Sequence, residues 1–133
     1  EQFMETQRLL KIIHMTSVSV LLVILLARGL TLFKGVQGNQ PNPAGRTLWV
    51  ALQHLSVTLI VVTGIVLLAL KDFQVETWFY AKIILFLVML SSLMKAYRKT
   101  DSILLVQRRA GWGIALVALL AIIALVMIKP SFG

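Results

Sequence analysis

The stretch Leu9 to Phe33, LLKIIHMTSVSVLLVILLARGLTLF, constrains this chain more than any other. As a helix it is long enough to cross a bilayer, which takes ~20 apolar residues. Only Gly29, near its end, disfavours a helix. His14 and Arg28 interrupt the apolar run 14 residues apart, close to four whole turns at 3.6 residues per turn. The two therefore share nearly one face, about 21 Å apart along the axis at 1.5 Å per residue. Ser17 and Leu21 fall on that face between them. Lipid cannot satisfy such a polar stripe, so it is expected to turn toward protein.

Composition puts the rest of the chain in the same setting. A length of 133 residues fits one domain, 1–133. Hydrophobic residues make up 59% and mean hydropathy is +0.90, too apolar for a soluble fold with a polar shell and direct support for an integral membrane protein. With no cysteine, disulfides and thiolate metal sites are excluded. The net charge of +8 is placed mainly between the apolar segments, where topology signals belong, so the expected partner is the lipid bilayer and not nucleic acid. The first segment is too long for a signal-peptide core and lacks a small-residue cleavage site.

Four helices are expected, at about 9–33, 46–70, 77–97 and 110–128. The first two are separated by KGVQGNQPNPAG, which holds three of the eight glycines and two of the three prolines and is a loop by its turn chemistry. KDFQVE forms a short polar turn. RKTDSILLVQRR reads as a basic loop or a helix extension at the interface, and Lys129-Pro130 stops the last segment. Short connections place successive helices side by side, so the predicted fold is all-α, an integral membrane four-helix up-down bundle. Lys34, Arg46, Lys95, Arg98, Lys99, Arg108 and Arg109 fall on one side, seven in number. Arg8, Lys11, Lys71 and Lys129, four in number, fall on the side that holds both termini. The imbalance predicts periplasmic termini in a bacterial inner membrane. Trp49, Trp78 and Trp112 each lie near the start of a segment, as interfacial anchors would.

All five acids lie outside the expected spans, whereas His14, Arg28, His54 and Lys82 lie inside them. An embedded cation is costly unless it snorkels or is paired. Without an internal carboxylate, the expected partner is a backbone carbonyl, a lipid phosphate or a bound anion. His14 and Lys82 each fall about five residues into a segment that starts on the terminal side, roughly 8 Å deep. Arg28 and His54 lie nearer the opposite side. The offset between His14 and His54 disfavours them as the two axial ligands of one haem, so a single-histidine haem or His14 with Lys82 fits better. Each residue also has a structural reading. Lys82 follows Trp78 by four and would snorkel beside it. Arg28 would reach lipid phosphates, and His14 and His54 would hydrogen-bond to neighbouring helices. The five methionines read as packing.

The ordered pattern has a family likeness. The first helix carries His14 and Ser17, then Ala27-Arg28-Gly29. The second carries His54, Thr58 and Thr63-Gly64, and the third opens on Trp78 with Lys82 four residues later. Over most of its length the chain resembles the SirB family of small bacterial inner-membrane proteins. One departure stands at Val57, where that family's pattern implies an acid three residues after the second-helix histidine. The family name implies up-regulation of invasion gene expression. For a membrane bundle with no DNA-reading module, such an effect would be indirect. The layout is also similar to the four-helix bacterial protoporphyrinogen oxidase and to the copper-resistance protein D type of membrane domain. The former implies haem b, with His14, Arg28 and Lys82 in comparable places.

Three functions follow as expectations. The first is a redox or tetrapyrrole-binding protein with His14 as axial metal ligand, Lys82 close by, and Arg28 and His54 serving an anionic group or a quinone. The second is a non-catalytic module that partners another membrane protein and affects gene expression indirectly. The third is a small transporter or lipid-binding protein, in which Gly111 and Gly113 would let a homodimer approach closely. The residues assign no reaction.

Overall fold

The computed structural model describes residues 2–70, 77–98, 100 and 102–128, the side chain of Trp78 excepted. Four long helices carry the fold: α1 (Gln2–Gly29), α2 (Arg46–Leu70), α3 (Thr77–Ala96) and α4 (Leu105–Ile128). A single 3-10 turn, Leu30–Leu32, ends α1. Among the described residues there is no strand, only an isolated bridge between Gln37 and Gln40 in the first loop. All four helices are long and apolar enough to cross a membrane, as expected of a multi-pass membrane protein.

Two helix starts differ from the sequence reading. α1 begins at Gln2, seven residues before Leu9, because Gln, Met, Glu and Arg in that stretch are good helix formers although they are not lipophilic. His14 is consequently twelve residues from the helix start. α4 begins at Leu105, five residues before Ala110. There the backbone N–H of Leu104 donates to Oε1 of Gln107 at 3.0 Å, one half of a capping box, and the N–H of Leu105 donates to Oδ1 of Asn39 at 3.3 Å. Side chains thus satisfy the first donors of α4, and the helix can start in a polar stretch.

The chain divides into two compact units. The first combines Glu1–Ile24 with Gly45–Val75, that is, most of α1 with α2. Its buried positions recur at helical spacing, with Ser17, Leu21 and Ile24 on α1 and Ser56, Ile60 and Thr63 on α2.

The second unit combines Leu25–Ala44 with Glu76–Gly133. Here α3 and α4 run antiparallel, with Ser92 and Ala96 beside Gly111 at one end and Ala81 and Leu85 beside Ala121 and Leu125 at the other. A Cβ on Gly111 would stand 3.1 Å from the carbonyl oxygen of Ser92, so close packing of the helices depends on that glycine. Gly111 is therefore used within the chain, while nothing in the structure lies within 4 Å of a Cβ added at Gly113. In both units large apolar side chains point outward, among them Val62, Ile65, Ile84, Leu87 and Val117. Lipid accommodates such a surface and water does not.

Candidate functional site

His14 is half-buried on α1, and its Nδ1 lies 2.8 Å from Oγ1 of Thr63 on α2. The Thr63 hydroxyl is itself buried and has one proton, which it donates back along α2 to the carbonyl oxygens of Leu59 and Ile60. Its oxygen is left to accept, so the bond network puts the proton of neutral His14 on Nδ1 and the lone pair on Nε2. The next residue, Gly64, makes room for the ring. A Cβ there would lie 3.3 Å from Cε1 of His14. Glycine inside a helix costs about 1 kcal/mol relative to alanine, and the approach of the imidazole accounts for its presence. The Thr63-Gly64 pair on α2 thus serves the histidine of α1.

His54 belongs to the same unit but is exposed. Nine residues separate it from Thr63, or two and a half turns, so the two point to opposite sides of α2.

Arg28 and Lys82 belong to the second unit. Arg28 is buried near the end of α1, with its guanidinium 3.8 Å from the centre of the Tyr97 ring. A desolvated cation on an aromatic face is stabilised by about 2 kcal/mol. The hydroxyl of Thr31 donates to the carbonyl of Arg28 at 2.6 Å. Lys82 is half-buried, with Nζ 5.0 Å from the Phe79 ring. Aromatic faces thus join the partners expected for these embedded cations. Tyr97 lies just beyond the α3 span, and burial pushes its phenol up to about 12, against the opposing pull of Arg28.

Among the described residues, no group of three or more histidines, cysteines, aspartates or glutamates is placed to hold a metal ion. An axial haem ligand needs no such group, and one oriented imidazole suffices.

A family model described as "Invasion gene expression up-regulator, SirB" matches residues 8–131. This chain belongs to the SirB family. Comparison with curated proteins and with solved structures returned no match. The matched span takes in His14, Arg28, His54 and Lys82, together with the Thr63-Gly64 pair.

Sequence reasoning missed a second set of polar residues, at the end of this SirB-family chain where α3 passes into α4. Arg108 is fully buried. Its Nη1 donates to the carbonyls of Ala96 at 3.0 Å and Arg98 at 2.7 Å, and its Nη2 donates to that of Thr100. It therefore closes the C-terminal end of α3, where carbonyls lack helical partners and the helix dipole favours a cation. Arg109 does the same for α1, donating from Nε to the carbonyl of Leu32 at 3.0 Å with its guanidinium 4.8 Å from the Phe33 ring. Trp112, expected as an interfacial anchor, packs against α1. Its Nε1 donates to the carbonyl of Leu25 at 2.9 Å, and its ring packs where a side chain on Gly29 would otherwise stand. One signal did exist. Arg108, Gly111, Ala115, Ala118 and Ile122 repeat at intervals of three and four, and all are buried. Arg108 is the first member of the stripe that α4 turns inward.

Proposed function

We propose that this protein is a bacterial inner-membrane protein in which His14 would hold haem b. The observation that supports this reading is the bond from Nδ1 of His14 to Thr63 beside Gly64. A metal-ligating histidine commonly commits its other nitrogen to a hydrogen bond, which fixes the tautomer and ring orientation. In this chain Thr63 would hold the ring, Gly64 would give it space, and Nε2 would meet the iron. Haem b, when bound, supplies a redox-active iron in an apolar setting. Arg28, His54 and Lys82 enter the proposal as groups for anionic substituents, each tested singly by substitution with glutamine. The helices are proposed to form one up-down bundle with both termini periplasmic. Any effect on invasion genes, the property named for the family, would then be indirect.

The test is the absorption spectrum of the protein purified from haem-replete cells, before and after dithionite. A Soret band that His14→Ala abolishes while helicity is retained is the expected result. A protein that stays colourless after haem is added would refute the reading.

A second reading is favoured by the engagement of Arg28 with Tyr97 and of Lys82 with Phe79, since cations with aromatic partners in their own chain can be structural. In that case the protein is a non-catalytic module bound to another membrane protein. It would co-purify with a defined partner and tolerate His14→Ala and Lys82→Ala. Loss of function from either change in a folded protein would exclude this reading.

A further inference from the structure

Three aliphatic hydroxyl side chains are buried among the described residues, those of Ser17, Ser56 and Thr63, beside the phenol of Tyr97. A hydroxyl on a membrane helix usually returns its proton to a carbonyl three or four residues back. Ser17 does so at the carbonyl of Ile13, 2.8 Å away, and Thr63 does so at Leu59 and Ile60. Ser56 is only 4% exposed, yet it has no hydrogen-bond partner among the described residues. Its hydroxyl is therefore able to donate to whatever occupies the space beside it. Ser56 and Ser17 both line one cleft of about 300 Å³ between α1 and α2, whose other walls are mainly apolar, Leu52, Leu55 and Leu59 among them. That volume is at the lower end of small-molecule sites and suits a single substituted ring.

Depth narrows the ligand. Ser56 is ten residues from the start of α2 and fourteen from its end, about 15 Å and 21 Å along the axis. With a hydrocarbon core ~30 Å thick, it lies among acyl chains wherever α2 is centred. The ester carbonyls of a phospholipid stay at the headgroup boundary. A ligand carbonyl that reaches Ser56 must belong to a molecule dissolved in the bilayer interior.

We propose that this cleft binds the ring of a lipid-soluble quinone, with Ser56 and Ser17 as its hydrogen-bonding groups. The Ser56 hydroxyl donates to a ring carbonyl. The Ser17 oxygen, its own proton committed to Ile13, accepts from the ring hydroxyl of the reduced form. The assignment does not rest on haem at His14, and His14→Ala is expected to leave quinone binding intact, so the two readings fail separately.

The test uses the purified full-length chain in phosphatidylcholine nanodiscs, photolabelled with a short-chain azidoquinone and mapped by mass spectrometry. Label is expected on residues 12–20 and 52–59. Excess decyl-benzoquinone should suppress it, and excess phosphatidylglycerol should not. Ser56→Ala should weaken competition about tenfold, the share of one hydrogen bond. The thermal midpoint of the quinone-free Ser56→Ala protein should stay level or rise, because an unpartnered hydroxyl has been removed. Leu59→Trp, which fills the cleft, should abolish labelling. Label elsewhere, equal competition by phosphatidylglycerol, or unchanged competition in Ser56→Ala would overturn the proposal. So would a lower thermal midpoint for Ser56→Ala, which would make the hydroxyl a structural group.

Discussion

The two units bury polar groups in different ways. In the first, they are a half-buried imidazole and three buried hydroxyls between α1 and α2, that of Ser56 without a hydrogen-bond partner among the described residues. In the second they are Arg28, Arg108 and the phenol of Tyr97, and each arginine meets carbonyls or a ring supplied by the chain itself. A guanidinium has five donors in a rigid fork, and three carbonyls at the end of α3 accept from Nη1 and Nη2 of Arg108. Such a cation is part of the fold. An imidazole oriented by a threonine and a serine facing a cleft are arranged as sites are. Charge alone therefore does not mark the functional part of this protein, and what each group faces, a helix end or an open cleft, marks it better.

The sharpest way to break this contrast is Arg108→Ala. It removes three charge-assisted hydrogen bonds and leaves three carbonyls near the α3 terminus without their donor. A loss of about 3–5 kcal/mol is expected, read as a fall in the thermal midpoint in detergent. Arg109→Ala, which removes one such bond from a half-buried residue, should cost about 1–2 kcal/mol. If Arg108→Ala unfolded no more readily than Arg109→Ala, the second unit would not depend on its buried arginine as described.

Much of the fold was legible before the structure. The expected bounds of α2 were 46–70, as observed, and α3 ends within one residue of expectation. The starts of α1 and α4 were misjudged because hydropathy marks what lipid tolerates and not where a helix begins. Good helix formers extend α1, and Gln107 caps α4. His14 and Arg28 stood out as polar residues in an apolar run. The purpose of Thr63-Gly64 was hidden, because it depends on a contact across 49 positions. Arg108 was read as a loop charge that sets topology. Its burial depends on the path of the chain after Ala96, which local spacing does not encode.

A smaller effect comes from Tyr97 as pH rises. Its folded pKa of about 12 exceeds the ordinary phenol value near 10, so the folded state keeps its proton longer than the unfolded state does. The associated stability is complete below pH 10 and is lost between pH 10 and 12, to a total of about 2–3 kcal/mol. Tyr97→Phe should flatten that part of the stability curve and remove an ultraviolet phenolate transition near pH 12. A wild-type curve parallel to that of Tyr97→Phe would show that burial does not hold the phenol neutral.

The smallest effect probes the first unit and is the most informative about it. Thr63→Val keeps the shape of the side chain and removes the oxygen that accepts from Nδ1 of His14. The expected cost to stability is about 1 kcal/mol, the net worth of one hydrogen bond. The larger consequence is for the proton. Without Thr63 the Nδ1–H and Nε2–H forms of neutral His14 are no longer separated by a fixed acceptor, and nitrogen NMR should change from one tautomer to a mixture. Thr63→Ser should restore the single tautomer. A spectrum identical in the wild type and Thr63→Val would mean that some other contact orients the ring, and the first unit would then hold its histidine as passively as the second holds Arg108.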